Sequence, residues 1–219
     1  MRTIPPDWVR QVWRGGTITT PMLGWMDGAA FAHLTIAGDG TASGHFLPDD
    51  VYFMPARPHA APELDRITLG GGEMSRTDLD PKLLEDPAAR FAAQLGAPTA
   101  RLAWTGEAGE IATLDDPVSG AHADLQPPAD GGWTIHQRGP LRLWDDAARA
   151  LSTLLSAGRP HQSEYGLTVT PEGSGHGWVT LAGRAGTCLP SQTQPVESAP
   201  ASRRCRWCAP ARPRCAPAP

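Results

Sequence analysis

Lysine is nearly missing from this sequence, and cysteine is missing from most of it. Lys82 is the single lysine among the 19 basic residues, so arginine carries almost all of the positive charge. No cysteine precedes position 188, and the four present are Cys188, Cys205, Cys208 and Cys215. The body of the chain therefore has no disulfide framework, as is usual in the cytoplasm, where we expect this protein.

Long apolar runs and an excess of positive charge are also lacking. No apolar run approaches the ~20 residues of a membrane-spanning helix, and the first residues lack the apolar core of a signal peptide. The net charge is −4, and residues 184–219 hold six arginines against one glutamate, so the rest is more acidic still. Because phosphate binding needs a basic face, neither a membrane nor a nucleic acid is an expected partner.

The residues that are present predict a folded α+β body. The chain is 40% hydrophobic and 19% charged, as in average globular proteins, and its 24 glycines and 23 prolines indicate frequent turns. Apolar periodicity predicts helices over 7–13, 85–95 and 141–157, the last with one apolar face made of Leu141, Trp144, Ala148, Leu151 and Leu155. Strands are expected over 17–20, 29–36, 41–46, 102–104, 111–114, 133–136, 167–170 and 178–181, with hairpins joining the second to the third and the last two to each other.

Two motifs suggest ligand binding but lack the context it requires. Gly70-Gly71-Gly72 could bring a backbone close to a phosphate, but no strong helix opens after it, so a flexible loop is favoured. Cys205 and Cys208 have the spacing of half a zinc site, but Cys188 and Cys215 form no second close pair, since sixteen and six residues separate them from it, and the setting is structureless. We therefore expect no cofactor-binding residue and no metal ligand.

Histidines and paired aspartates form no recognisable catalytic set. His33 and His45 fall on opposite arms of the first hairpin, where a place on the sheet surface is favoured over a metal site. The neighbours Asp115-Asp116 and Asp145-Asp146 point to different faces, so neither pair makes an acid/base dyad, and the second pair suits the start of a helix. The catalytic residues stay unknown.

Serines and tryptophans are given structural roles as well. Ser163 and Ser174 lack the context of a nucleophile elbow. The seven tryptophans before residue 184 are expected as core anchors, with a carbohydrate or base-stacking platform left open.

The chain resembles a known family over residues 4–181. The stretch Ile4-Pro5-Pro6-Asp7-Trp8-Val9-Arg10-Gln11, followed by Gly15-Gly16-Thr17-Ile18, resembles the last segment of the methyltransferase domain of protein-L-isoaspartate O-methyltransferases. In that family a proline-led helix runs into a Gly-Gly turn and a strand. Residues 28–55 are similar to the hairpin and loop of larger actinobacterial members, which often accompany ribosomal-peptide modification clusters. Parts of their carboxy-terminal extension are similar to residues 77–84, 137–145, 158–160 and 165–173.

The resemblance implies three parts and an incomplete enzyme. Residues 1–56 would end a truncated Rossmann-like methyltransferase domain, 57–183 would form a small mixed α/β extension, and 184–219 would be a disordered tail, for which a frameshift is one hypothesis. The family uses S-adenosylmethionine to methylate an isoaspartyl or aspartyl carboxylate of a protein or peptide substrate. Its cofactor loop, acidic ribose residue and substrate hydroxyl precede the matching segment, so the chain is expected to bind no cofactor and to be inactive alone.

Two other functions stay open at this point. One is a non-enzymatic peptide-binding or scaffold module that grips a peptide along an exposed strand edge. The other, which is disfavoured, is a zinc-dependent enzyme that uses the cysteines of the tail.

Overall fold

The computed structural model describes residues 2–49, 53, 60, 62–63, 68–127, 132–170, 177–181 and 188–189. Helices in these residues are α1 Pro6–Gln11, α2 Pro87–Gly96 and α3 Leu143–Ser156, with 3-10 turns at Pro81–Glu85 and Gln162–Glu164. The strands are β1 Thr17–Leu23, β2 Ala29–Ile36, β3 Ala42–Leu47, β4 Glu73–Thr77, β5 Arg101–Thr105, β6 Ile111–Asp115, β7 His122–Gln126, β8 Trp133–Arg138, β9 Tyr165–Val169, β10 Gly177–Leu181 and β11 Cys188–Leu189. The protein is therefore α+β, as predicted.

The strands form two antiparallel sheets. The larger sheet has the order β1-β2-β3-β9-β10-β11, and the smaller one has the order β4-β8-β7-β6-β5. The β9–β10 pair confirms the closing hairpin predicted from the sequence. Because β9 pairs with β3, the larger sheet takes strands from both sides of the boundary expected at 56/57.

A tight turn joins β2 to β3 and explains why this hairpin could be predicted. Asp39 accepts a hydrogen bond from the backbone N–H of Thr41 at 2.9 Å, and Gly40 has a φ of 83°, which glycine tolerates best. The hydrogen bond from the Thr41 backbone N–H lowers the pKa of the Asp39 carboxyl. The register places His33 opposite His45, as predicted.

Helix α2 packs between the larger sheet and α3. Its Phe91 meets Phe46 of β3 and Tyr165 of β9 edge-on, with ring centroids 5.2 and 5.5 Å apart. Helix α3 packs on α2 and reaches β6 and β7 of the smaller sheet. The buried apolar residues of both sheets and the helices thus belong to one core cluster.

Side-chain burial corrects two predictions. The buried face of α3 is rotated from the predicted one: Trp144 and Leu151 belong to both, but the other buried residues are Leu143, Ala147, Ala150 and Leu154. Trp144 is a core anchor, 1% exposed, whereas Trp13 is 80% exposed and Trp8 is 39% exposed, so the core role was wrong for these two. Helix α1 ends at Gln11, so Trp13 lies beyond it, and the buried residue of the helix is Val9 rather than its neighbour Trp8.

Three strands were not predicted. Strands β4 and β7 fall in stretches without regular apolar alternation. The third, β11, pairs Cys188 with Thr180 inside the range expected to be disordered. The rest of 184–219, with Cys205, Cys208 and Cys215, lies outside the described residues.

Candidate functional site

A buried cluster of ionisable side chains lies on the face of the smaller sheet that the helices do not cover. Asp115 and His122 are register partners across β6 and β7, and Asp124 lies two residues beyond His122, so all three share one face. The Nδ1 atom of His122 is 2.6 Å from Oδ1 of Asp115, and its Nε2 atom is 3.2 Å from Oδ1 of Asp124. His122 is 2% exposed and Asp124 is 0% exposed.

Gly70, three residues before β4, contacts this cluster. The backbone N–H of Gly70 donates to Oδ1 of Asp124 at 2.7 Å. The guanidinium of Arg138, on β8, donates to the carbonyl oxygen of Gly70 at 2.9 Å. A second guanidinium, that of Arg101 on β5, donates to the carbonyl oxygen of Pro62. Gly70 is therefore held by one carboxylate and one arginine, and Pro62 by a second arginine.

The geometry of the cluster favours neither catalysis nor metal binding. Both ring nitrogens of His122 are engaged by carboxylates, and the buried ring presents no atom to a substrate. The ring also separates Asp115 from Asp124, so the three side chains do not converge on one point. Among the described residues no group of three His, Cys, Asp or Glu side chains is arranged to hold a metal ion.

Asp116 has a different role from its neighbour, as its adjacent position predicted. Its carboxylate closes the turn between β6 and β7 by accepting from the N–H of Val118 at 2.9 Å and from the hydroxyl of Ser119 at 2.8 Å. A third donor is the hydroxyl of Thr99, at 2.9 Å. Burial lowers the pKa of Arg2, and the charge of Asp116 acts in the opposite direction.

The predicted histidine pair lies on the outer face of the larger sheet. The rings of His33 and His45 are 6.3 Å apart and meet at 60°. The hydroxyl of Thr19 lies 2.7 Å from Nδ1 of His33. Since His45 is exposed and His33 is half-buried, the pair sits at the sheet surface, which was the favoured interpretation.

The other candidates from the sequence have local structural roles. Gly70-Gly71-Gly72 leads directly into β4, so no helix follows this run. The hydroxyl of Ser163 lies 2.9 Å from Nδ1 of His161, and the pair belongs to a capped 3-10 turn. Ser174 lies outside the described residues. No nucleophile elbow is therefore formed at Ser163.

The second aspartate pair lies in the first turn of α3, as predicted. The side chain of Gln137, from β8, accepts from the N–H of Trp144 and donates to Asp145, both at 2.9 Å. Arg142, at the N-cap position, makes no capping bond with its side chain. A residue of the sheet thus caps α3, which the sequence did not indicate.

The sequence did contain a signal for the buried cluster. His122 and Asp124 alternate along one strand, and Asp115 precedes them across a short stretch that ends in Gly120-Ala121. Such a stretch predicts a hairpin turn, which would bring Asp115 opposite His122. This alternation was missed because the strand carries polar side chains toward a buried face.

Comparison with protein-family models, with curated proteins and with solved structures finds no match. Within the described ranges, no helix is long and apolar enough to cross a bilayer. The family resemblance of the sequence therefore rests on the residues quoted for it.

Proposed function

We propose that this chain is the carboxy-terminal part of an S-adenosylmethionine-dependent protein or peptide carboxylate methyltransferase, without catalysis of its own. The observation that carries the proposal is the order α1, Gly15-Gly16, β1 and the β2–β3 hairpin. This is the order of elements that the resemblance to protein-L-isoaspartate O-methyltransferases implies. A methyl transfer needs the carboxylate held in line with the cofactor's methyl group. We assign that task to a cofactor-binding part supplied beside this chain.

Strand β1 provides the surface on which such a part would continue the sheet. It is terminal in the strand order of the larger sheet. The backbone N–H of Gly24 donates to the carbonyl oxygen of Gly28, and that of Ile36 donates to the carbonyl oxygen of Gly16. By alternation, the even-numbered residues of β1 direct their backbone N–H and C=O groups toward β2. Because alternate residues of an antiparallel strand turn their N–H groups outward, the N–H of Thr19 points away from β2. Pro21 is also odd-numbered, so its backbone nitrogen points away from β2 as well. Proline fits this position because it has no N–H to donate to β2.

A complementation assay tests the proposal. The chain would be mixed with the separately expressed cofactor-binding domain of a family member, tritiated S-adenosylmethionine and an isoaspartyl peptide. Base-labile methyl ester should form in the mixture and not with either part alone. Tight calorimetric binding of S-adenosylmethionine by this chain alone would contradict the assignment.

Thr19 offers a matched pair of variants for that assay. Thr19→Pro removes an outward N–H and leaves the hydrogen bonds between β1 and β2 in place, so ester formation should be lost. Thr19→Val also loses the hydroxyl but keeps the N–H, and it should retain the activity. Equal activity of both variants would refute the role of this edge.

The same edge also favours the second function, a non-enzymatic module that adds an extended peptide to β1. The assay separates the two. The module would bind a peptide in a Thr19-dependent manner but would form no methyl ester with any cofactor-binding domain.

A further inference from the structure

Two imidazole rings lie side by side on the outer face of the larger sheet. His33 of β2 and His45 of β3 are register partners, and their ring centroids are 6.3 Å apart. Imidazole nitrogens suit Zn²⁺, Cu²⁺ and Ni²⁺, whereas Mg²⁺ and Ca²⁺ prefer oxygen ligands. Because His45 is exposed and His33 is half-buried, a dissolved ion can reach both rings from solvent.

We propose that His33 and His45 form a two-histidine site for a divalent transition-metal ion such as Zn²⁺, with solvent in the remaining coordination positions. A zinc ion lies about 2.0–2.1 Å from the nitrogen that binds it, and therefore roughly 3.2 Å from the centre of that ring. Two rings on one ion then have centroids at most about 6.4 Å apart, and about 5.2 Å apart at the tetrahedral angle. The observed separation lies below this upper limit, and a movement of the rings by about 1 Å gives the tetrahedral arrangement.

The hydroxyl of Thr19 determines which nitrogen of His33 is open to a metal ion. Its oxygen lies 2.7 Å from Nδ1, so Nε2 is the nitrogen left for the ion. With the ion on Nε2, Nδ1 carries the proton of the neutral ring and donates it to the hydroxyl oxygen of Thr19. A hydrogen bond from the second ring nitrogen is what orients most metal-binding histidines.

His45 can make the movement that closes the site. Its side chain is exposed, and no hydrogen bond within the described residues holds its ring. On the side away from His33, its register partner is Gly166 of β9. Glycine has no side chain to fill the space beside the ring, so the imidazole and the solvent ligands of the ion have room there.

Neighbours on this face do not compete with the two rings. The residues two positions away along β2 and β3 share the outer face and are uncharged: Phe31, Thr35, Ser43 and Leu47. None of these four carries a guanidinium that would repel a cation, and none carries a carboxylate that would favour Mg²⁺. The two imidazoles therefore set the metal preference of the site.

A zinc titration of the full-length protein, followed by nuclear magnetic resonance of the histidine rings, tests the site. Each ring gives its own signal, so zinc held elsewhere on the chain is distinguished from zinc at this pair. The signals of His33 and His45 should shift with one common midpoint, and Mg²⁺ should shift neither.

His161 is a matched reference in the same titration. The hydroxyl of Ser163 lies 2.9 Å from its Nδ1, as Thr19 does at His33, but no second imidazole lies against it in the part of the chain that the structure describes. Its midpoint should need at least about tenfold more zinc, because it lacks a second ligand held nearby at high effective concentration.

Two variants complete the test. In His45→Gln the zinc midpoint of His33 should rise about tenfold or more, to that of a single imidazole. His161→Gln, the same change at the reference position, should leave the midpoints of His33 and His45 unchanged. The proposal is overturned if His33 and His45 shift at different zinc concentrations, if they shift no earlier than His161, or if His45→Gln leaves the midpoint of His33 where it was.

Discussion

Replacement of Gln137 by methionine should destabilise the protein by removing the cap of α3. Gln137 is 3% exposed and joins β8 to the first turn of the helix through Trp144 and Asp145. Methionine has a similar length and no polar atom that can replace the amide. The N–H of Trp144 would lose its acceptor inside the core, at about 1–3 kcal/mol, and Asp145 would lose a hydrogen bond worth about 1 kcal/mol. We therefore expect a total of about 2–4 kcal/mol.

Urea unfolding followed by circular dichroism measures this change. With a slope of about 2 kcal/mol per M, the midpoint should fall by about 1–2 M in Gln137→Met. Gln137→Glu keeps an acceptor for Trp144 and places negative charge at the helix start, but it repels Asp145. Its urea midpoint should therefore fall by less than that of Gln137→Met. Gln11→Met, the same change at an exposed position, should shift the midpoint by less than about 0.3 M. A midpoint of Gln137→Met equal to that of the Gln11 control would refute the capping role.

Three further predictions concern the core and the glycine turn. Burial raises the pKa of Tyr165 to about 12. Because a tyrosine in the unfolded chain ionises near pH 10, the contribution of Tyr165 to the free energy of unfolding should be constant below about pH 10. It should fall by about 2–3 kcal/mol as the pH rises to about 12. Tyr165→Phe should remove this loss in unfolding curves measured across that range. Gly72→Ala should lower the melting temperature more than Gly71→Ala. Both glycines have positive φ, but only a Cβ at Gly72 would clash with backbone, at the carbonyl oxygen of Gln137. Equal shifts of the melting temperature would contradict this packing. Phe91→Ala should cost about 3–5 kcal/mol in urea unfolding, since the ring is 3% exposed, and a loss under about 1 kcal/mol would exclude its core position.

Local signals explain why part of the fold could be predicted. The β2–β3 hairpin is specified by Gly38-Asp39-Gly40 and by apolar residues at alternate positions, so its register follows from neighbouring residues. Helix α2 likewise carries its own start, because Asp86 accepts from the N–H of Ala89 and Pro87 begins the helix. Where the information lies within one element, the sequence is sufficient.

The buried cluster and the cap of α3 could not be predicted in the same way. Strand β7 presents His122 and Asp124 to a buried face, which reverses the usual relation between polarity and exposure. Strand β4 is an edge strand with four exposed residues, so it has no apolar pattern. The cap from Gln137 depends on the packing of β8 against α3. These features come from tertiary contacts, which override local propensity.

The pairing of β3 with β9 also bears on how the chain is divided. The larger sheet joins residues 42–45 to residues 166–169, although more than 100 residues separate them in sequence. Phe91 strengthens this junction, because it contacts Phe46 on one strand and Tyr165 on the other. A division at 56/57 would therefore expose the β3 edge and leave Phe46 without an aromatic partner. In the proposal that a cofactor-binding part extends the sheet at β1, the strands after residue 57, which are β9, β10 and β11, lie on the other side of β3 in that same sheet. Residues on both sides of 56/57 therefore build one sheet, and neither part forms it without the other.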